Sequence, residues 1–193
     1  MIKLHIFDVD GTILDSHQFW SNVIGNYLKE KNIIIPSDAE KILTPMGFSE
    51  AVSYIKEKFL YDISYDEIFN EINNIIIRYY TNDVMPFNDM LSIIDELVKA
   101  NKRLVIYTNS NLEMVKPALI RINIFNHFEH IFTPEKDSIG YSKNNPIGFK
   151  FVCDKMNVSP VEAILYDDAD YALKAASSIG IKTKSFNPNR SPR

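Results

Sequence analysis

The sequence has little glycine, one cysteine, one tryptophan and no long apolar run. Each shortage excludes something. With 6 glycines in 193 residues the chain holds no collagen-like repeat. The lone Cys153 rules out an intrachain disulfide and favours a reducing compartment. No stretch approaches the roughly 18 uncharged apolar residues that a bilayer-spanning helix needs. The formal net charge of −4 gives no electrostatic grip on a nucleic-acid backbone. The start, Met1 to Phe7, is apolar only briefly and runs into Asp8 and Asp10, so it does not read as a signal peptide. No repeat or low-complexity tract interrupts the chain. A cytoplasmic location, with no membrane or nucleic-acid partner, is the expectation. Oligomeric state is not legible.

What is present is an ordinary globular composition, 46% apolar and 24% charged, on a length that suits one main domain with room for an insertion. Short apolar segments end in polar residues at 4–7, 103–107, 130–132 and 163–166, with a fifth at 181–183. Helical patterns fall between them at 88–100, 111–122, 146–156 and 170–179. Pro117 lies inside the second of these and should kink it or delay its start. Strands alternating with helices predict an α/β fold: a Rossmann-like parallel sheet with helices on both faces.

Residues 16–82 break that rhythm and read as helix after helix. Ser37 with Glu40 and Ser64 with Glu67 have capping-box spacing. Ile68, Ile72, Ile75, Ile76 and Tyr79 form one apolar stripe. The expected division is a core of residues 1–15 and 83–193 carrying an all-helical insertion of residues 16–82.

In an open parallel sheet, ligands bind beyond the carboxyl ends of the strands. The residues found there are Asp8, Asp10, Gly11 and Thr12 after the first strand, and Thr108, Asn109 and Ser110 after the second. Lys143 follows the third, and Asp167 and Asp168 follow the fourth. Each alone is an ordinary turn or cap residue. Together they form a chemistry. Clustered carboxylates repel unless a cation neutralises them, and an all-oxygen donor set favours a hard ion such as Mg²⁺. Thr108, Asn109, Lys143 and the backbone at Gly11 suit a phosphate. A carboxylate can attack phosphorus to give an aspartyl-phosphate, and a second acid two residues on can serve as proton donor and acceptor.

This set resembles the haloacid dehalogenase-like (HAD) phosphohydrolase superfamily. Asp8-Val9-Asp10-Gly11-Thr12 is similar to its DxDGT motif, Thr108-Asn109 to its second motif and Lys143-Asn144-Asn145-Pro146 to its third. Asp168, 25 residues after Lys143, occupies the place of the main aspartate of its fourth. Pro160 and Glu162 match an expected turn. The likeness covers roughly residues 1–183, with only a loose match in the helical insertion.

The resemblance implies a phosphatase acting on a small phosphorylated metabolite, with the insertion as a helical cap. Asp8 would be nucleophile and metal ligand. Asp10 would be acid/base and would lend its carbonyl to Mg²⁺. Asp168 would complete the ligands, with Asp167 a further candidate. Thr108, Asn109, Lys143 and Gly11 would hold the phosphoryl group. Three departures stand out: Ala172 where many relatives carry a second acid, leaving Asp167 or Asp170 to substitute; Asn144 where proline is usual; and no glycine at the second hinge, Met85-Pro86-Phe87. The segment 44–49 resembles a specificity loop. Alternatives are a phosphomutase of the β-phosphoglucomutase type, disfavoured because residues 41–50 hold no arginine and only Lys41, and a non-catalytic phosphate-binding relative. A signalling receiver domain would place its acid pair first and lack the insertion.

Overall fold

A computed structural model describes residues 1–34, 36, 42–43, 46, 48–134 and 142–186. Two compact units divide the chain: residues 1–16 with 84–193, and residues 17–83.

The first unit is built on five parallel strands. They are β1 (Leu4–Phe7), β2 (Arg103–Tyr107), β3 (His130–Phe132), β4 (Ala163–Asp167) and β5 (Lys182–Ser185), in the order β3-β2-β1-β4-β5. The chain leaves β1 for one side of the sheet and later returns to the other. That makes the carboxyl end of β1 the switch point where a crevice opens. β1 is buried throughout, His5 included, as suits a mostly apolar central strand. β5 is the opposite case. All four of its residues are exposed, and Lys182 and Lys184 guard the sheet edge. It begins one residue later and ends two residues later than its sequence pattern suggested, because a solvated strand leaves no apolar signature.

Among the described residues, four helices cover this sheet: α4 (Asn88–Lys99), α5 (Leu112–Arg121), α6 (Pro146–Lys155) and α7 (Asp170–Ser178). On one face Leu4, Ile6, Val105, Tyr107 and Leu165 pack against Phe149, Val152, Ala172 and Ala176. Fully burying each of the larger aliphatic and aromatic residues contributes about 1.5–3 kcal/mol. On the other, Phe7 stacks on Tyr166 with ring centroids 4.6 Å apart and meets Phe128 edge-on. Gly148 is dictated by packing, since a Cβ there would lie 2.1 Å from the Tyr107 hydroxyl oxygen. Pro117 neither delays α5 nor ends it; it lies well inside the helix. Asn32, Asn101, Asn123 and Asn157 follow helices with φ between 51° and 60°. Asparagine therefore supplies the left-handed terminating residue that a glycine-poor chain must find elsewhere.

The second unit contains α1 (His17–Glu30), α2 (Phe48–Lys58) and α3 (Tyr65–Asn82). Ser64 caps α3 by accepting from Glu67 N at 3.2 Å. The buried stripe of α3 is Ile68, Ile72, Ile76 and Tyr80. Tyr80 thus replaces the expected Tyr79, because the four-residue step that joins the isoleucines continues to 80. Tyr79 instead stacks flat on Phe19 at 3.8 Å, while the Trp20 indole donates to the Tyr80 hydroxyl at 2.8 Å. No helix among the described residues is long and apolar enough to cross a membrane. The predicted Ser37–Glu40 cap, Lys41, and positions 44, 45 and 47 of the loop segment lie outside the described residues.

Candidate active site

The site grows from the end of β1. Asp8 N donates to Tyr166 O at 3.0 Å, so the sheet's own ladder fixes the first acid. The chain then turns tightly. Ile13 N and Leu14 N both return to Val9 O, and Gly11 adopts φ 81°. That value is open to glycine and strained for residues with a Cβ. The turn closes on the returning chain through Asp15 N to Met85 O and Phe87 N to Ile13 O, both within the first unit. This backbone pairing fixes the segment where a hinge glycine was expected.

Two strand ends, those of β1 and β4, converge on one buried ammonium. Lys143 is 2% exposed, and its Nζ lies 2.5 Å from Asp8 Oδ1 and 2.9 Å from Asp167 Oδ2. Its loop is held from outside by Asn109, whose Oδ1 accepts from Lys143 N at 3.1 Å. The loop leads into α6 through Asn145, which caps the helix by accepting from Ile147 N, with Pro146 at the first helical position. Asn144, standing where proline is usual, is tied by Ser142 Oγ at 2.7 Å.

Asp167 is fully buried. Its second oxygen accepts from Ala169 N at 2.9 Å. Asp168 is half-buried and accepts from Thr12 Oγ1 at 3.2 Å. Oxygens of Asp8, Asp167 and Asp168 all lie within 4.8 Å of one another. Asp170 is exposed at the start of α7 and outside this group, and Ala172 is packed in the core. Of the two acids expected to substitute at the fourth motif, only Asp167 is brought to the cluster.

Electrostatics follow from burial. Desolvation raises the Asp8 carboxyl; Lys143 opposes the rise, while Asp167 and Asp10 add to it. Asp167 is raised for the same first reason, against Lys143 and the Ala169 N–H. Burial alone would depress the Lys143 ammonium, but the two carboxylates more than offset it, and it stays cationic. Two carboxylates thus meet one ammonium, and a third, Asp168, lies in the same cluster. The excess negative charge and the all-oxygen donor set fit a hard divalent cation.

Asp10 is half-buried. Its Oδ1 accepts from Ser16 Oγ at 2.6 Å and its Oδ2 from Ser110 Oγ at 2.5 Å. The sequence marks Ser110 as a strand-end residue without an assigned role and does not single out Ser16 as a site residue. Thr108, 1% exposed, directly follows β2, and its Oγ1 accepts from Ser110 N at 3.1 Å. The histidines take no part in the carboxylate cluster. His5 is buried against the Tyr166 hydroxyl at 3.3 Å, His130 packs on Phe132, and His127 and His17 are exposed. Cys153 is a buried core residue whose thiol is pushed up to about 11 by burial.

A model of the haloacid dehalogenase-like hydrolase family matches residues 5–185. The chain belongs to this family of hydrolases. Within it, the chain is 23% identical to the fructose-1-phosphate phosphatase YqaB of Escherichia coli over 182 residues, covering 91% of this chain and 92% of that one. It is also 23% identical to the phosphoglycolate phosphatase of Aquifex aeolicus, covering 94% and 83%. The crystal structure of CbbY from Rhodobacter sphaeroides in complex with phosphate shares the fold, with TM-score 0.76 and 17% identity over 95% of this chain and 85% of that one.

Proposed function

We propose that this hydrolase is a Mg²⁺-dependent phosphatase that removes the phosphoryl group from a small phosphorylated metabolite through an aspartyl-phosphate on Asp8. The observation that carries the reading is the buried contact of Lys143 with Asp8 at 2.5 Å, beside Asp168 and the turn holding Asp10. A carboxylate pinned by a cation at a strand end is oriented for attack, and the same cation is at hand for a phosphoryl oxygen.

In the first step an Asp8 oxygen forms a bond to phosphorus as the bond to the leaving oxygen breaks. The leaving oxygen keeps the electron pair and takes a proton from the Asp10 carboxyl. In the second step water attacks the phosphorus, its proton passes to Asp10, and the bond to Asp8 breaks to release inorganic phosphate. Lys143, Thr108, the Asn109 amide and the backbone about Gly11 hold the phosphoryl oxygens in this scheme. Asp8, Asp168 and the Asp10 carbonyl would hold Mg²⁺, which when bound supplies positive charge against the phosphoryl oxygens. Asp167 has one oxygen on Lys143 and the other on Ala169 N, so we assign it to the lysine and not to the metal. The helical unit, residues 17–83, serves as the cap that selects the substrate.

Phosphatase names among relatives that match along nearly the whole chain support hydrolysis over mutase chemistry. The test is phosphate release from a panel of sugar phosphates, phosphoglycolate and nucleoside monophosphates, with Mg²⁺ or with EDTA. Release by wild type in Mg²⁺ only, and none by Asp8→Asn, is expected. Equal release by both proteins would remove Asp8 from its role. Turnover only when a sugar bisphosphate is added would favour the mutase.

A further inference from the structure

The Asp10 carboxyl is held at both oxygens by hydroxyls from two separate stretches of chain. Ser16 Oγ reaches Oδ1 at 2.6 Å from the end of the first-motif segment, and Ser110 Oγ reaches Oδ2 at 2.5 Å from the loop after β2. Ser16 is 1% exposed. Ser110 is itself anchored, its N–H donating to Thr108 Oγ1 at 3.1 Å. Three consecutive residues after β2 therefore reach three parts of the site. Thr108 faces the phosphoryl position in our reading, Asn109 secures the Lys143 loop, and Ser110 meets Asp10.

An aspartate beyond a turn has a broad choice of side-chain torsions. Two bonds from independent backbones restrict the carboxyl to one aim. The chemistry of the donors matters too. A hydroxyl gives one hydrogen and accepts two, so the same contact persists whichever protonation state Asp10 occupies in the cycle. A lysine or amide nitrogen in that position would only donate. Short, charge-assisted O–H to carboxylate bonds are also among the stronger hydrogen bonds available.

We propose that Ser110 and Ser16 are positioning residues that aim the Asp10 carboxyl at the leaving-group oxygen. The proposal rests on the reading of Asp10 as the acid/base. Positional loss should cost most where the leaving oxygen needs a proton and least where it does not.

The experiment compares kcat/KM for β-glycerophosphate, an alkyl monoester, with p-nitrophenyl phosphate, whose leaving oxyanion is stable unprotonated. Wild type, Ser110→Ala, Ser110→Thr, Ser16→Ala and Asp10→Asn are measured in Mg²⁺. With general acid catalysis worth about 10²–10⁴-fold in all, we expect Ser110→Ala to lose about tenfold on the alkyl ester and less than about threefold on the aryl ester. Ser16→Ala should show the same contrast, and Ser110→Thr should recover most of the alkyl-ester rate. Equal losses on both esters, or no loss on either, overturn the proposal. If Asp10→Asn shows the leaving-group contrast and Ser110→Ala does not, the positioning claim alone fails. If Asp10→Asn is itself insensitive to the leaving group, the acid/base reading fails and takes the proposal with it.

Discussion

Replacing Lys143 by methionine removes the ammonium between Asp8 and Asp167 while keeping most of the side chain's volume. At 2.5 and 2.9 Å, and with an effective dielectric constant near 20, each lost attraction is about 6 kcal/mol. Much of that is returned, because a buried ammonium no longer has to be desolvated. Stranding buried partners in this way leaves a net loss of about 3–5 kcal/mol. Against a total stability of about 5–15 kcal/mol this is large but survivable. The loss should depend on pH in a defined direction. Both carboxyls already lie above their ordinary range through burial, and removal of the lysine raises them further. A carboxyl raised in the folded state costs stability at high pH, and the cost fades as pH falls through its folded pKa. Urea unfolding in EDTA at pH 8 and pH 5 should therefore show a wide gap between wild type and Lys143→Met that narrows at the lower pH. A loss below about 1 kcal/mol, or a gap that pH does not change, would refute the reasoning.

Two further outcomes test the fold. Gly148→Ala forces a methyl against the Tyr107 hydroxyl and should destabilise by about 1–3 kcal/mol. Tyr107→Phe removes the nearest atom, so the double variant should lose less than the two singles combined, and strict additivity would contradict the packing account. His5 is lowered by burial and then by Lys102, so the folded state resists its protonation. The His5 contribution should be lost as pH falls below about 6.5, where the unfolded imidazole gains its proton, so the stability of wild type relative to His5→Gln should fall over that interval; parallel curves would contradict this.

Much of the architecture was legible because central parallel strands are written as unbroken apolar runs and their covering helices as a 3.6-residue period. Leu4–Phe7 and Arg103–Tyr107 carry that signal, whereas Lys182–Ser185 does not. The acids and Lys143 were legible for a different reason. The acids stand at or just after strand ends, so locating the strands located them, and Lys143 lies in the longer loop after β3. Ser110 shared that strand-end marker, but its contact with Asp10 did not show, and Ser16 had no marker at all. Ser110 meets Asp10 across 100 residues of chain, and serine beside a strand end reads as a turn former. The distinction between Asp167 and Asp168 was also hidden. Adjacent residues on an extended chain point to opposite sides, and only the packed structure decides which meets the lysine. Asp167 turned to Lys143, and Asp168 to Thr12.

The central claim is that Asp8 carries the phosphoryl group. Acid quenching of the Mg²⁺-loaded protein during turnover, followed by mass spectrometry of its peptides, tests this most directly. The account predicts one hydroxylamine-labile phosphoryl group on the peptide containing Asp8, absent from Asp8→Asn. Steady turnover with no modification there, or with the phosphoryl group on another residue, would contradict it.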